Sequence, residues 1–402
     1  MLVKLGPLDT GRIADLRPYL DSVPDPRSRR GRWYSLTAIL LVCACGVVSG
    51  AKSIEELAEW GQRASNALLA VIGIRVHLFR WRRTPSSATI GRVLGAVDGD
   101  ALDRAVCAYL ATRHRAATEP TQTPSPSASR RLRVIAVDGK ALKGSARLTA
   151  TRRHLLSAVT HGTVVTLAEV EVGAKTNETT HFQPLLAPLD LAGAVVTFDA
   201  LHSVKANISW LVEAKNAHYI AVIKTNQPTA HSQLAALPWR DIAVQHTASA
   251  SGHGRRESRS IKTCAVADEL GGIAFPHARL AIRVHRRRKL SGKHETRESI
   301  YAVTSLDAHQ ASPADLAAAI RGHWAVENSS HHIRDVTFAE DASTIHAGTA
   351  PRAMAALRNL AIGALKTLGA DNIAKTTRAI RDEPQRALPI LGITNDPDAY
   401  GT

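Results

Sequence analysis

Cysteine is scarce, with 4 in 402 residues, and two of those form Cys43-Ala44-Cys45 inside an apolar run. That count excludes a disulfide scaffold, and no Cys/His pair has zinc-site spacing. The expectation is a reducing, cytoplasmic setting, nucleoid-associated if the partner is DNA. Aromatic residues are also few, 5 Phe, 6 Trp and 6 Tyr, so base-stacking platforms for single strands or RNA are not the main binding mode. Acids run short as well. Asp plus Glu number 35 against 51 Lys plus Arg, a formal charge of +16. A polyanion is the natural partner, and backbone tracking on double-stranded DNA by Arg and Lys fits this composition. A hydrophobic fraction of 45% with 21% charged residues excludes wholesale disorder. At about 150 residues per domain the length predicts two or three domains.

Long hydrophobic runs are nearly absent. Trp33 to Ala51 is uncharged over 19 residues and follows Arg27, Arg29, Arg30 and Arg32, which imitates a membrane span with a basic flank. It contains Ser35, Thr37, Ser49 and two glycines, and leads directly into the amphipathic stretch Ile54 to Trp60. It therefore reads as a buried helix and not a span. Met1 to Pro24 lacks the charged start, apolar centre and cleavage site of a signal peptide.

Residues 1–115 read as a helical domain. Ser53, with Glu56 three positions on, predicts a helix start, and another helix is predicted from Ser86 or Ser87 through Val97. Arg80, Trp81, Arg82 and Arg83 precede that helix as a basic cluster. Thr118 to Ser129 (TEPTQTPSPSAS) is a Pro/Ser/Thr-rich linker, within a boundary segment 116–131. The period then changes. Arg133 to Val137, Val159 to Val172, Val195 to Phe198 and Tyr219 to Ile223 read as strands, with a helix over Val204 to Ala217, which makes a βαβ unit. Residues 132–385 form an α/β domain. A β-rich insertion at about 236–304 interrupts it, with a basic run of Arg283, Arg286, Arg287, Arg288, Lys289, Lys293 and Arg297 and a turn at His253 to Arg256. Ser312-Pro313-Ala314-Asp315 starts a helix that extends to about Arg334. Pro351 to Ala370 is a further helix, and the last ~25 residues, including a 386–402 tail, read as loop.

Three acids stand out by position. Asp138 follows the first strand, Asp199 follows the strand ending at Phe198, and Glu327 lies in the capped helix. On that helix Ile320, His323, Glu327, Ser330 and Arg334 share one face by steps of three and four. Two carboxylates at strand ends plus one on a helix are what a site for two hard divalent ions needs, and such a site can serve in-line phosphodiester chemistry. Asp335, Glu340 and Asp341 compete with Glu327 for the third place. Lys140, Lys143 and Lys224 lie beside the strand-end acids and can meet the DNA backbone. Asp138 to Ser145 does not match a nucleotide-binding P-loop, and His323, His331 and His332 lack zinc spacing. Trp210 and Trp324 read as packing residues.

Four strings in order, VDGK at Val137, FDALH at Phe198, KTNQ at Lys224 and RGHWAVENSSHHIRDVTFAED at Arg321, resemble the DDE transposases of bacterial insertion sequences. The resemblance is to the H-repeat-associated group and extends over nearly the whole chain, including Pro24-Asp25-Pro26-Arg27 in the N-terminal associated domain. It implies a ribonuclease H-like catalytic domain. It also implies Asp138, Asp199 and Glu327 as catalytic and metal-binding acids with two Mg²⁺ ions, Mn²⁺ substituting. The implied activity is cleavage at element ends followed by 3′-hydroxyl strand transfer into target DNA. The implied partners are terminal repeats and target DNA, with a dimer in the DNA complex and no membrane. Lys140, Lys143, Lys224, Arg286, Arg287, Arg288, Lys289, His323 and Arg334 are the expected DNA contacts. Ile320, His323 and Arg334 stand where the wider superfamily has Tyr, Arg and Lys. The alternative is a catalytically decayed relic that still binds DNA.

Overall fold

The computed structural model describes residues 13–30, 32–75, 83–118, 132–146, 152–173, 177–252, 254–266, 272–292 and 294–393, except for the side chains of Ala325, Glu327 and Asn328. Arg80 to Arg82, the body of the expected linker (119–131), His253 and Lys293 lie outside the described residues.

Six helices come first: α1 (Arg17–Asp21), α2 (Leu36–Val48), α3 (Ile54–Arg63), α4 (Asn66–Val71), α5 (Ser87–Ala96) and α6 (Gly99–Thr118). The starts of α2 to α5 are set by serines whose hydroxyls accept a backbone N–H, Ser35 from Ala38, Ser53 from Glu56, Ser65 from Leu68 and Ser86 from Thr89. In α2 every residue but Thr37 is buried, as an apolar run with no polar stripe requires. Among the described residues no helix is long and apolar enough to cross a membrane.

The α/β part runs β1 (Val134–Leu142), β2 (Arg153–Thr160), β3 (Thr166–Val172), α7 (Glu178–Leu186), β4 (Val195–Phe198), α8 (Lys205–Glu213), β5 (His218–Ile223) and α9 (Pro228–Ala236). It continues with β6 (His246–Gly252), β7 (Arg255–Ala265), β8 (Leu280–Leu290), β9 (Thr296–Thr304), α10 (Pro313–Val326) and α11 (His332–Val336). The strands form a single sheet ordered β3-β2-β1-β4-β5-β9-β8-β7-β6. Strands β1 to β3 are antiparallel, and β4 and β5 continue parallel to β1. This half of the sheet is the ribonuclease H-like arrangement. The β-rich insertion is not a separate sheet. Strand β9 pairs antiparallel with β5, so β6 to β9 widen the same sheet into a long ribbon.

The chain closes with α12 (Ala350–Thr367), α13 (Ile373–Asp382) and α14 (Ala387–Ile390). The expected loop-like end is corrected here. Ile373, Thr376, Thr377 and Ile380 recur at helical spacing and bury one face of α13, while Arg113 of α6 donates to the Ile390 and Ala364 carbonyls. The largest apolar cluster joins α2, α5 and α6 to α12 and α14, running from Leu16 to Ile393. A second cluster fills the space under α7 and α8, and a third lies between α10 and the strands.

Candidate active site

Strand alternation fixes where the first two acids point. Ile135, Val137, Val196 and Phe198 belong to the cluster under α7 and α8, whereas Val195 packs with Ile320 of α10, and Ala136 packs with Val326 at its end. Successive side chains on a strand take opposite faces, so Asp138 and Asp199 continue the face covered by α10. The parallel register pairs Val137 with Phe198, which places the two acids side by side just past it, on neighbouring strands about 4.8 Å apart. Asp138 Oδ1 accepts from the Gly139 N–H at 2.9 Å, and Asp199 Oδ1 accepts from the Leu201 N–H at 2.9 Å. The KTNQ string braces the turn after Asp199. Asn226 donates to the Ala200 carbonyl at 2.8 Å and Gln227 to the Ser203 carbonyl at 2.9 Å.

Helix α10 starts as its sequence demands. Ser312 Oγ accepts the Asp315 N–H at 3.2 Å, and Asp315 Oδ2 accepts the Ser312 N–H at 3.1 Å, with Pro313 at the first position. The helix crosses the sheet face and its α geometry ends at Val326. Glu327 opens a π-helical turn, Glu327–His331, before α11. That turn takes in an extra residue and rotates α11 by about 100°, which breaks the stripe expected to carry Glu327 and Arg334 together. Ile320, at the place of a tyrosine in the wider superfamily, is buried against the strands as a packing residue.

Three imidazoles line this region without charge. His161 Nε2 and His323 Nδ1 both hydrogen-bond Thr197 Oγ1, at 3.0 and 3.2 Å. Burial pushes both rings down to about 4, so His323 stands beside Asp199 as a neutral hydrogen-bonding group. His331 Nδ1 lies 3.7 Å from Asp138 Oδ2, and burial, helped by Arg334 and Lys140, pushes it down to about 3. A cavity of about 50 Å³ opens between Thr197, Asp199, Lys224, Ile320, His323 and Trp324. Lys224 is exposed at its rim. Trp324 carries the Arg259 guanidinium over its ring at 5.5 Å.

The competing acids are engaged elsewhere. Asp335 holds Lys140 Nζ at 2.8 Å, Asp341 holds Lys143 Nζ at 2.6 Å, and Glu340 holds Arg334 at 2.8 Å and Arg358 at 3.0 Å. Two expected DNA contacts are corrected by the same facts. Lys140 is 8% exposed and Arg334 1% exposed, and both serve as internal counter-ions. Arg334 also reaches Asn359 at 3.3 Å and Glu169 at 3.6 Å. Burial pushes Glu340 up, yet Arg334 and Arg358 outweigh it and hold the carboxyl below its ordinary value. Lys143 keeps most of its side chain in solvent. Among the described residues no Lys or Arg forms an ion pair with Asp199, and no three His, Cys, Asp or Glu side chains are grouped to hold a metal; the Glu327 side chain is not among them.

The basic run on β8 divides between two faces. Ile282 and Val284 face α10, so Arg286 and Arg288 follow them, while Arg283, His285, Arg287 and Lys289 follow Ala281 on the opposite face. On the α10 side Arg286 is paired with Glu257 at 3.1 Å. On the other side Arg287 lies opposite Arg297 and Lys289 opposite Arg256, and all four are exposed. The run is contiguous in sequence and not on the surface, which the period of two in a strand could have shown.

Comparison with known proteins places the chain in a family. The family profile described as "Transposase DDE domain" matches residues 129–363, and that described as "DDE_Tnp_1-associated" matches residues 18–110. "Putative transposase YncI" of Escherichia coli O157:H7 is 28% identical over 88% of this chain and 88% of its own length. "H repeat-associated putative transposase YhhI" of Escherichia coli K12 is 26% identical over 94% of this chain and 98% of its own. Among solved structures, a cryo-EM structure of the piggyBac transposase synaptic complex with hairpin DNA overlaps 95% of this chain and 78% of that one, with a TM-score of 0.39 and 9% identity. With more than half of its length matched, the chain belongs to the DDE transposase family.

Proposed function

We propose that this chain is a metal-dependent DNA transposase that cuts double-stranded DNA at the ends of its element and joins the freed 3′-hydroxyl to target DNA. The observation that carries this reading is the side-by-side placement of Asp138 and Asp199 just past the parallel pairing of β1 with β4, on the sheet face covered by α10, the helix that Glu327 follows in the chain. Family membership supports divalent-metal chemistry, and the donor set suits it. Carboxylate oxygens are the ligands that Mg²⁺ and Mn²⁺ prefer, and the other acids nearby are neutralised by Lys or Arg. Asp138, Asp199 and Glu327 would hold two ions. Bound there, the ions would acidify the attacking oxygen and stabilise the leaving one.

Both steps are displacements at phosphorus. In the first, water attacks the phosphodiester at the element's end, its proton passes to solvent, and the 3′-oxygen leaves. In the second, that 3′-hydroxyl attacks a target phosphate and the target's own 3′-oxygen leaves, so one site serves both in turn. Lys224 at the cavity rim would meet a non-bridging phosphate oxygen, and neutral His323 would donate a hydrogen bond without competing for the cations. Lys143, Arg287, Arg288 and Lys289 would grip the DNA backbone, with Arg286 contributing less because Glu257 already holds it. Joining two ends calls for two copies of the chain in the DNA complex.

The test is end cleavage and joining by purified protein on DNA carrying the ends that flank its gene, in Mg²⁺, in Mn²⁺ and in EDTA, beside Glu327→Ala. Metal-dependent cleavage and joining, lost in the variant, is the expected result. Tight DNA binding without cleavage in either metal would instead establish a binding relic, and cleavage without joining would establish a nuclease.

A further inference from the structure

The strand face opposite the acids carries a second constellation. Glu178, the first residue of α7, places Oε1 2.7 Å from His154 Nε2 and Oε2 3.3 Å from His202 Nε2. His154 lies on β2, two residues before Leu156, the partner of Gly139. His202 ends the single turn, Ala200–His202, that follows Asp199. It is 1% exposed and stacks near Phe182 of the same helix as Glu178, at 5.8 Å. Its other nitrogen, Nδ1, has no hydrogen-bond partner among the described residues, so Glu178 is the group that fixes the ring. One carboxylate therefore ties together the neighbour strand of Asp138, the turn behind Asp199 and the start of α7.

Gly139 shows how tight this arrangement is. It follows Asp138 and points to the Glu178 side of the sheet. A Cβ built there would lie 2.6 Å from His154 Nε2 and 2.8 Å from Glu178 Oε2. The glycine of the VDGK string is needed because the histidine–glutamate bridge occupies its side-chain space, directly behind the first acid. The close approach of His154 and then of His202 holds the Glu178 carboxyl down at about 2.

We propose that Glu178 is a positioning residue for the metal site: through His154 and His202 it sets the separation and aim of Asp138 and Asp199. This rests on those two acids being metal ligands. Groups behind metal ligands typically change metal affinity or activity by about 10–100-fold when removed, and a misplacement of about 1 Å can cost on the order of 100-fold in rate.

The experiment compares full-length wild type, Glu178→Ala, Glu178→Gln and Asp199→Ala by three measurements. These are cleavage rate against Mg²⁺ concentration, Mn²⁺ binding to the DNA-free protein followed by water-proton relaxation, and DNA affinity. Glu178→Ala is expected to cleave about 10–100-fold more slowly, to need more Mg²⁺ for half-maximal rate and to bind Mn²⁺ more weakly, with DNA affinity unchanged. Glu178→Gln, which keeps the shape but cannot accept from both rings, should fall between Glu178→Ala and wild type, and it serves if the alanine variant does not fold. Gly139→Ala should shift the Mg²⁺ requirement the same way by pushing on the bridge from the other side. If Asp199→Ala loses Mn²⁺ binding and cleavage while both Glu178 variants match wild type, the positioning role is overturned and the metal site stands. A lower melting temperature with unaltered Mn²⁺ binding would also overturn it, by showing a purely structural bridge. If Asp199→Ala itself binds Mn²⁺ and cleaves like wild type, the metal-site reading fails and this inference falls with it.

Discussion

The seam between α12 and the sheet and the region of Asp138 and Asp199 are both built around acids, but they treat charge in opposite ways. In the seam, Glu340 is shared by Arg334 and Arg358, Glu169 takes Ser157 at 2.6 Å and Asn359 at 3.1 Å, and Arg352 joins Asp103 of α6 at 2.7 Å. Each acid has a partner inside the protein, as buried charge requires. Asp138, within β1, and Asp199, just past β4, accept backbone N–H groups and stand among imidazoles that burial keeps neutral. A closed set of charges holds elements in place, whereas Asp199, with no arginine or lysine paired to it among the described residues, is open to a cation from outside.

The sharpest way to break this contrast is to remove one acid from each set. Asp199→Ala should lower cleavage by about a thousand-fold or more, the worth of several kcal/mol of transition-state stabilisation, and leave DNA affinity broadly intact. A variant that cleaves like the parent would falsify the assignment of the pair. In the seam, Arg334→Met leaves Glu340 and Glu169 buried with less compensation. It should destabilise the fold by about 3–5 kcal/mol in urea titrations without changing the salt dependence of DNA binding. A change in salt slope with little loss of stability would return Arg334 to the DNA surface.

How far the sequence disclosed this contrast differs from residue to residue. Asp138 and Asp199 were legible because β-branched runs end at them, although β1 continues past Asp138 to Leu142, beyond the strand end at Val137 that the sequence suggests, and the start of α10 was legible from Ser312, Pro313 and Asp315. Helix α7, which carries Glu178, was not, because its apolar residues Phe182, Leu185 and Leu186 surround an internal Pro184 that reads as a breaker. The π turn at Glu327 has no local signature, so the face shared by Glu327 and Arg334 was drawn on α-helical geometry that stops one residue too early. Pairing of β9 with β5 is a long-range contact that periodicity cannot reveal. The ends of α13 and α14 were readable in their spacing but are stabilised by the N-terminal helices, far away in sequence.

A smaller effect sharpens the comparison through pH. Burial holds His161 and His323 near 4 and His331 near 3, against an ordinary 6.5. Between those values the unfolded chain binds more protons than the folded one. Stability is therefore complete above about pH 6.5 and falls as pH drops toward 4. His161→Gln should flatten part of that fall in urea midpoints measured from pH 7.5 to 4.5. A slope as steep as wild type's would mean that His161 does not stay neutral when buried.

The smallest expected effect concerns the ribbon, where both treatments of charge occur on one strand. Arg286 is held by Glu257, whose carboxyl stays below its ordinary value because that pairing and nearby Arg259 outweigh the upward push of burial. Arg287 and Lys289 face the other way, beside Arg297 and Arg256, in a cluster positive enough to help burial push His285 down. Removing one Lys or Arg from a DNA phosphate reduces the slope of log affinity against log salt by about 0.9. Replacing Arg287 and Lys289 together by alanine should therefore flatten the slope by about 1.8, whereas Arg286→Ala should change it by less than about 0.9. A loss confined to Arg286→Ala would show that DNA lies against the α10 side of the ribbon after all, since only there does Arg286 meet it, and equal losses would show phosphate contact on both faces. A loss confined to Arg287 and Lys289 places the duplex on the reverse face, away from the acids, where a segment other than the one being cut must lie.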